Sequence, residues 1–435
     1  LHLLLILLPA ANNEFCVFKN EMMLGRFFKI IFKLLGWLIL ILLVVFFVIY
    51  ATAPNYDFPD YKPFSGDKLY NPYRGMDSSD WRKGNFQVQS RAWLGITNGR
   101  NNTNEAIQTM YRQLGYDIIV TSDYMKINRF GEESPQFIAT YEHGYSVRKT
   151  HQVCIGSHGI TWLDYPFYQN INHKQHVINL LREKNEIIAL AHPDLRDGYL
   201  LDDMKQLTNY DLMEAMSQVR FSIDHWDMAL SYGHAAFILG NDDAHDVFNP
   251  EEVGRVCTFI NSPSLDADKI KRNLKAGNAF GARIAMQPGE DFVEKAVVHH
   301  SLPIVKNVEL DKDTLTVTLS EPAALIAFVG QGGALRRTFS DTSGASYIIR
   351  HDDSYIRTEI TFRDGTLYYL NPVFRYSGLT PGEQPPATIN WVKTWVQRGV
   401  AIVIFIVLLL IVTRIMRPRS RKGRVNNRRT YYYQS

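Results

Sequence analysis

Between Leu34 and Ala51 the chain reads LLGWLILILLVVFFVIYA, 18 residues without a charge. As helix this is about 27 Å, close to the hydrocarbon thickness of a bilayer. Near the other end, Gly399–Thr413 (GVAIVIFIVLLLIVT) supplies 15 more uncharged residues, about 22 Å of helix. Arg398 and Arg414 can snorkel from its ends, Ile415 and Met416 lengthen it, and Trp391 and Trp395 suit an interfacial belt. Burial as core helices is the competing reading, and the length and purity of the runs argue against it. Two spans, 34–51 and 397–416, are therefore expected, with everything between them on one side of a membrane.

Charge sets the side. Arg26, Lys29 and Lys33 precede the first span, Asp57 and Asp60 follow it, and eight basic residues from Arg414 to Arg429 follow the second. The positive-inside rule puts both termini in the cytoplasm and residues 55–395 outside, so an integral membrane protein with an extracytoplasmic domain is expected. Residues 1–33 read as an N-terminal extension plus a basic cytoplasmic segment. Met22 or Met23 opens a conventional basic-then-apolar start, and LHLLLILLPAA is too short to span, so residues 1–21 are given no function. The basic tail 417–435 is expected to hold the orientation against the bilayer.

Removing the ends from the net charge of +3 leaves about −8 on residues 54–395. Such a body lacks the basic face that phosphate backbones require, and no nucleic-acid partner is expected. With 46% hydrophobic and 21% charged residues, the chain is not a mainly disordered one. Three cysteines are too few for a disulfide scaffold or a cysteine-rich zinc site, and Cys154 and Cys257 read as small buried hydrophobes.

Residues 55–82, rich in Pro, Tyr, Asp and Gly, read as a linker. An alternation follows. Strand-like runs are expected at 86–90, 117–121, 137–141, 151–155, 187–191, 212–215, 237–239 and 256–260. Between them, a helix capped at Asn102/Thr103 presents Ile107, Met110, Tyr111 and Leu114 on one face. Further helices are expected at 174–184, 201–207, 222–232 and 264–276. Apolar strands with helical crossovers predict a parallel sheet or barrel over 83–290. From 300 to 380 the pattern becomes alternating strands with Asp-, Gly- and Ser-rich turns, a small antiparallel sandwich.

In α/β barrels reactive groups gather at the C-terminal ends of strands. Read in order, these ends carry Gln87 and Gln89, Asp123 and Tyr124, Glu142, His151, His192, then Asp243 and His245. Imidazoles and carboxylates converging on one rim are what a divalent metal needs. His173 and His176, near a helix start, read as surface residues.

The pieces GYDIIVTSDY, YEHGY, HQVCIG, AHP and DDAH, then NLKAGNAFGAR, occur in an order that resembles the PHP (polymerase and histidinol phosphatase) superfamily over residues 83–285. The resemblance implies a distorted seven-stranded TIM-like (β/α) barrel that holds up to three metals and hydrolyses phosphoesters. The strands with YIRTEI and LNPVFRY resemble the small β domain that trails many such proteins. The family's opening His-x-His is here Gln87-Val88-Gln89, and the His of its Asp-His pair is Tyr124. By this resemblance Gln87, Gln89, Glu142 and Asp243 would line a first metal position that has lost its imidazoles. Glu142, His151 and His192 would form a complete second position, and His245 would remain of a third. The implied cofactor is one or two divalent ions of zinc, manganese or iron.

Three readings stand at this point. One is a working phosphoesterase with a reduced metal site, in which Asp243 or Asp123 takes a proton and Tyr124 donates one; its ligand is a small phosphoester. Another is a pseudoenzyme, a catalytically inactive ectodomain that binds a ligand or envelope partner. The last is a purely structural ectodomain whose sandwich contacts another envelope component.

Overall fold

The computed structural model describes residues 11–97 and 99–416, so the basic tail and the first ten residues lie outside the description. The chain forms two units, Leu1–Ala53 with Asn390–Ser435, and Pro54–Ile389.

The first unit contains the helices Ala11–Thr52 and Trp391–Met416. Their segments Phe27–Thr52 and Trp391–Arg414 are long and apolar enough to cross a membrane. Phe47 and Phe405 stack with ring centroids 6.0 Å apart. At the end of the first helix, Gln397 Nε2 donates to the Ala53 carbonyl at 3.2 Å and Arg398 donates to that of Thr52 at 2.8 Å. Carbonyls left without an intrahelical partner are thereby satisfied by side chains of the other helix.

The second unit is mixed α/β with two large sheets and a two-stranded antiparallel pair, Tyr56–Asp57 with Thr388–Ile389. One sheet of five runs Thr140–His143, His151–Ser157, Asn185–Ala191, Leu212–Ser217 and Phe237–Asn241. Only its last three strands are mutually parallel; the first three alternate in direction. An all-parallel sheet is thus corrected. Residues 144–150 join the first two strands, and a parallel crossover needs a dozen or more residues. Leu212–Ser217 and Phe237–Asn241 are buried throughout, which is why they read as apolar runs without alternation.

The other sheet follows the order Val305–Asp311, Thr314–Gly330, Tyr355–Thr361, Leu367–Tyr376, Ala279–Arg283, Val256–Asn261, Trp81–Asn85 and Ile118–Ile119. The strands after 300 are antiparallel, as their alternation predicts. They share one hydrogen-bonded path with 256–283, since Ala279–Arg283 pairs with Leu367–Tyr376. One core accordingly contains Tyr111, Val253, Phe280, Phe328 and Tyr368 together. Single bridges, Val88 to Ala244 and Tyr124 to Glu142, link the two sheets. Residues 68–70 pair with Leu367–Tyr376, and the buried Tyr73 hydroxyl donates to the Ala279 carbonyl and accepts from Asn371 N.

Two local expectations move. The strand placed at 86–90 is Trp81–Asn85; residues 86–90 follow it, held by Asn241 Oδ1 on Phe86 N and the Ala244 carbonyl on Gln89 N. His173 is buried because its imidazole completes the capping box of Ile171–Arg182 with Asn170, so it is not a surface residue. Thr103 does cap Asn104–Gln113, accepting from Ala106 N, and Ile107 and Tyr111 are buried. The helix Phe292–His300 was not among the expected helices; Asp291 and Glu294 start it with a reciprocal capping box.

Candidate metal site

Glu142 and His151 lie on adjacent antiparallel strands. Glu142 stands opposite Val153, so His151, two residues along, shares its face and is its diagonal neighbour. His151 stands opposite Ala191 on the next strand. The chain then turns at His192, whose φ of 30° lies in the left-handed region. A non-glycine residue held there stores strain of the kind that gathers at functional sites. The turn is fixed by Glu214 Oε2, which accepts from His192 N at 2.9 Å.

The three side chains converge. His151 Nδ1 is 2.5 Å from Glu142 Oε1, His192 Nε2 is 3.6 Å from the same oxygen, and one ligand atom from each lies within 4.8 Å of the others. All three are buried. Gln89 Nε2 donates to the second Glu142 oxygen at 2.7 Å and to the Ser122 carbonyl at 2.9 Å, while its own oxygen accepts from Tyr124 N at 3.2 Å. The Tyr124 ring meets the His151 and His245 rings edge-on, at 5.5 and 6.3 Å, and Lys149 Nζ lies 5.7 Å from its centroid.

The other expected residues sit differently. Gln87 is buried, two residues before Gln89, and neither atom of its amide has a hydrogen-bond partner among the described residues. Asp243 is buried with Oδ1 unpartnered, 3.9 Å from His245 Nδ1. Asp123 is occupied elsewhere, accepting from Ser90 N, Ser90 Oγ and Asn128 Nδ2 at 2.7, 2.8 and 3.1 Å.

Sequence reading missed Glu214. It is fully buried in Leu212–Ser217, with Asn241 Nδ2 on one oxygen and His192 N on the other. The available signal was a lone carboxylate within the apolar run LMEAMS, since a charge in a doubly covered strand requires partners.

Burial pushes Glu214 up to about 8 and Asp243 up to about 6. It acts the same way on Glu142, but the imidazoles of His151 and His192 outweigh it and hold that carboxyl well below its ordinary range. Burial lowers His151; at His192 it is outweighed by Glu142, Asp243 and Glu214, which raise the imidazole to about 9. The Tyr124 hydroxyl is raised well above the ordinary phenol by burial and by Glu142. Near pH 7 two buried carboxylates, Glu142 and Asp243, thus face the single imidazolium of His192, with Glu214 as a neutral acid and no Lys or Arg salt bridge to any of them among the described residues.

A divalent cation answers that imbalance. The His192 Nδ1 and Asp243 Oδ1 atoms are buried without hydrogen-bond partners among the described residues, and the donors on offer are imidazole nitrogen and carboxylate oxygen, a set suited to zinc, manganese or iron. The residues present fit such an ion, with Glu142, His151 and His192 as its holders.

No family model and no curated protein matches this chain. Among solved structures, the chain is similar to a two-domain protein containing a predicted PHP-like metal-dependent phosphoesterase from Bacteroides vulgatus. The likeness has a TM-score of 0.38 at 12% identity and covers 71% of this chain and 100% of that one.

Proposed function

We propose that Pro54–Ile389 is a membrane-anchored, metal-dependent phosphoesterase with a reduced metal site. Its scaffold would be a distorted seven-stranded PHP-like barrel with a trailing β-sandwich. The observation that carries the reading is the convergence of Glu142, His151 and His192 within 4.8 Å, with the buried Asp243 as a further carboxylate beside them. The ion, when bound, would polarise a phosphoryl oxygen of the substrate.

The chain's own residues have separable tasks. Gln89 fixes the Glu142 carboxylate through one oxygen, and Glu214 fixes the turn that presents His192. Tyr124, kept as a neutral phenol, supplies a hydrogen bond to a substrate oxygen; its raised pKa opposes proton release. Asp243 is the remaining carboxylate at the site for handling a proton, because Asp123 spends both its oxygens on Ser90 and Asn128. The body faces away from the cytoplasm, both termini lie inside, and the bilayer is the constant partner.

One observation favours a second reading. Gln89 occupies a Glu142 oxygen at a position where the resembled family has imidazole, and an amide is a poorer ligand for zinc or manganese. An inactive ectodomain that binds a ligand or an envelope protein would have this site. Elemental analysis of the purified full chain separates the two. Near-stoichiometric zinc, manganese or iron, with turnover in a panel of small phosphoesters, is expected of the hydrolase. A site that stays empty after metal is supplied overturns it and leaves an anchored binding domain.

A further inference from the structure

Three loop segments, 91–97, 145–149 and 162–168, meet beside the metal site and turn an unusual set of side chains outward. The exposed fractions are 44% for Trp93, 95% for Leu94, 81% for Ile96 and 59% for Trp162. Soluble surfaces carry single exposed apolar residues routinely, but a contiguous group marks a contact surface. This group is contiguous: Trp93 and Trp162 meet edge-on with centroids 6.4 Å apart, and Tyr145 Oη donates to the Trp162 carbonyl at 3.3 Å. Val147 N to the Pro166 carbonyl, at 2.9 Å, ties the second segment to the third.

The backbone holds these side chains outward at a cost. Trp93 and Leu94 are consecutive non-glycine residues with φ of 50° and 59°, a conformation that L-residues avoid. The turn is anchored to the site, because Trp93 Nε1 donates to the Tyr124 carbonyl at 2.8 Å. Leu94 is thereby left at the tip with almost no contact to the protein.

Charge identifies the occupant. Arg91 and Arg100 bracket the tip and are exposed, and Lys149 lies over Tyr124. None of these three makes a salt bridge among the described residues; Arg148 alone in this region has one, with Asp197 at 3.8 Å. The acid of the three segments, Asp164, is fully buried and accepts from the Tyr145 and Tyr165 amides. A basic tip bearing tryptophan and long aliphatic residues thus projects from a body that is otherwise net acidic. Tryptophan with aliphatic residues suits the headgroup boundary of a bilayer, and unpaired cations suit anionic headgroups.

We propose that this rim docks on an anionic lipid surface, with Trp93, Leu94 and Ile96 entering the headgroup region and Arg91 and Arg100 meeting lipid phosphates. The metal site, tied to the rim through Trp93 and Tyr124, then lies near the membrane surface. The docking requires neither a bound metal nor turnover.

The test uses the full chain in nanodiscs of phosphatidylcholine, with or without 30% phosphatidylglycerol. Leu94→Cys in a Cys16→Ser background carries a polarity-sensitive fluorophore, since Cys154 and Cys257 are buried. Leu379→Cys, at a position 97% exposed, carries the same dye as a control for mere proximity. The expected result is a blue shift at position 94, quenched by brominated lipid, in the anionic discs only and reversed by high salt. Arg91→Gln with Arg100→Gln should lower the docked-to-undocked ratio about thirty-fold, at roughly a tenfold change per 1.4 kcal/mol. Equal emission at position 94 in both lipids, or the same shift at position 379, overturns the proposal. The readout is independent of metal and activity, so its failure is distinct from failure of the phosphoesterase reading.

Discussion

Gln87 and Gln89 are equivalent in the sequence, two residues apart and thus expected on one face, yet the structure assigns them opposite roles. Gln89→Ala removes a hydrogen bond of 2.7 Å to the Glu142 carboxylate and strips partners from the Ser122 carbonyl and Tyr124 N. A bond to a charged acceptor contributes about 1.5–3 kcal/mol, and orphaned buried backbone groups add to its loss. The expected destabilisation is about 2–4 kcal/mol, or roughly 3–6 °C in Tm for a unit of this size. A carboxylate that loses its orienting donor should also bind its metal about 10–100-fold more weakly. Gln87→Ala deletes an amide with no partner. The relieved desolvation and the small cavity roughly cancel, so stability should change by no more than about 1 kcal/mol. The assay is a melt of the full chain in detergent, stripped with chelator and then titrated with zinc or manganese. Metal raises Tm by mass action, which reports affinity. Equal losses in the two variants, or a larger loss for Gln87→Ala, would put Gln87 on the ion and refute the assignment.

Three further outcomes are expected. His192→Ala should abolish metal retention by elemental analysis, whereas His at 87, 89 and 124 together should raise metal stoichiometry; retention in His192→Ala would sink the triad. His234 is buried against the Lys205 carbonyl and Tyr61, and burial lowers its imidazole to about 4. A depressed folded-state pKa means that the neutral form's stability is complete above about pH 6.5 and lost as pH falls towards 4. The stability difference between wild type and His234→Gln should therefore decline by about 1.4 kcal/mol per pH unit across that window, and a flat difference in pH-dependent unfolding would contradict the burial argument. Arg357→Met should cost about 3–5 kcal/mol in denaturant unfolding, because Arg357 bonds both Asp227 oxygens at 2.7 Å and its loss leaves a buried carboxylate without its cation, with the Tyr355 hydroxyl still donating to it. A cost under about 1 kcal/mol would mean that water reaches Asp227.

The three converging residues, Glu142, His151 and His192, were legible as a candidate set because each sits at an end of an apolar run. Glu142 follows FIATY, His151 opens HQVCIG, and His192 ends IIALA; a polar side chain at the end of a buried strand has to face something. Glu214 was not legible because it lies inside its strand, and its reason for being there is the His192 amide on the neighbouring strand. The surroundings of Asp123 were hidden for the same cause. A carboxylate after a strand looks free in the sequence, and only the return of Ser90 and Asn128 to its oxygens shows that it is not.

The sequence by itself determined the quantities that depend on neighbours along the chain: the length of the two uncharged runs, the helix cap at Thr103, the apolar strands and the change to alternation after residue 300. The direction in which those strands pair, the fusion of the 256–283 strands with the later ones, and the choice of Gln89 over Gln87 as the partner of Glu142 were decided only by the tertiary structure. The physical reason is that periodicity fixes which face of a strand is buried, while pairing and register depend on groups tens to hundreds of residues away. The pocket's charge imbalance belongs to that second class, since it exists only once Glu142, Asp243 and His192 are buried together.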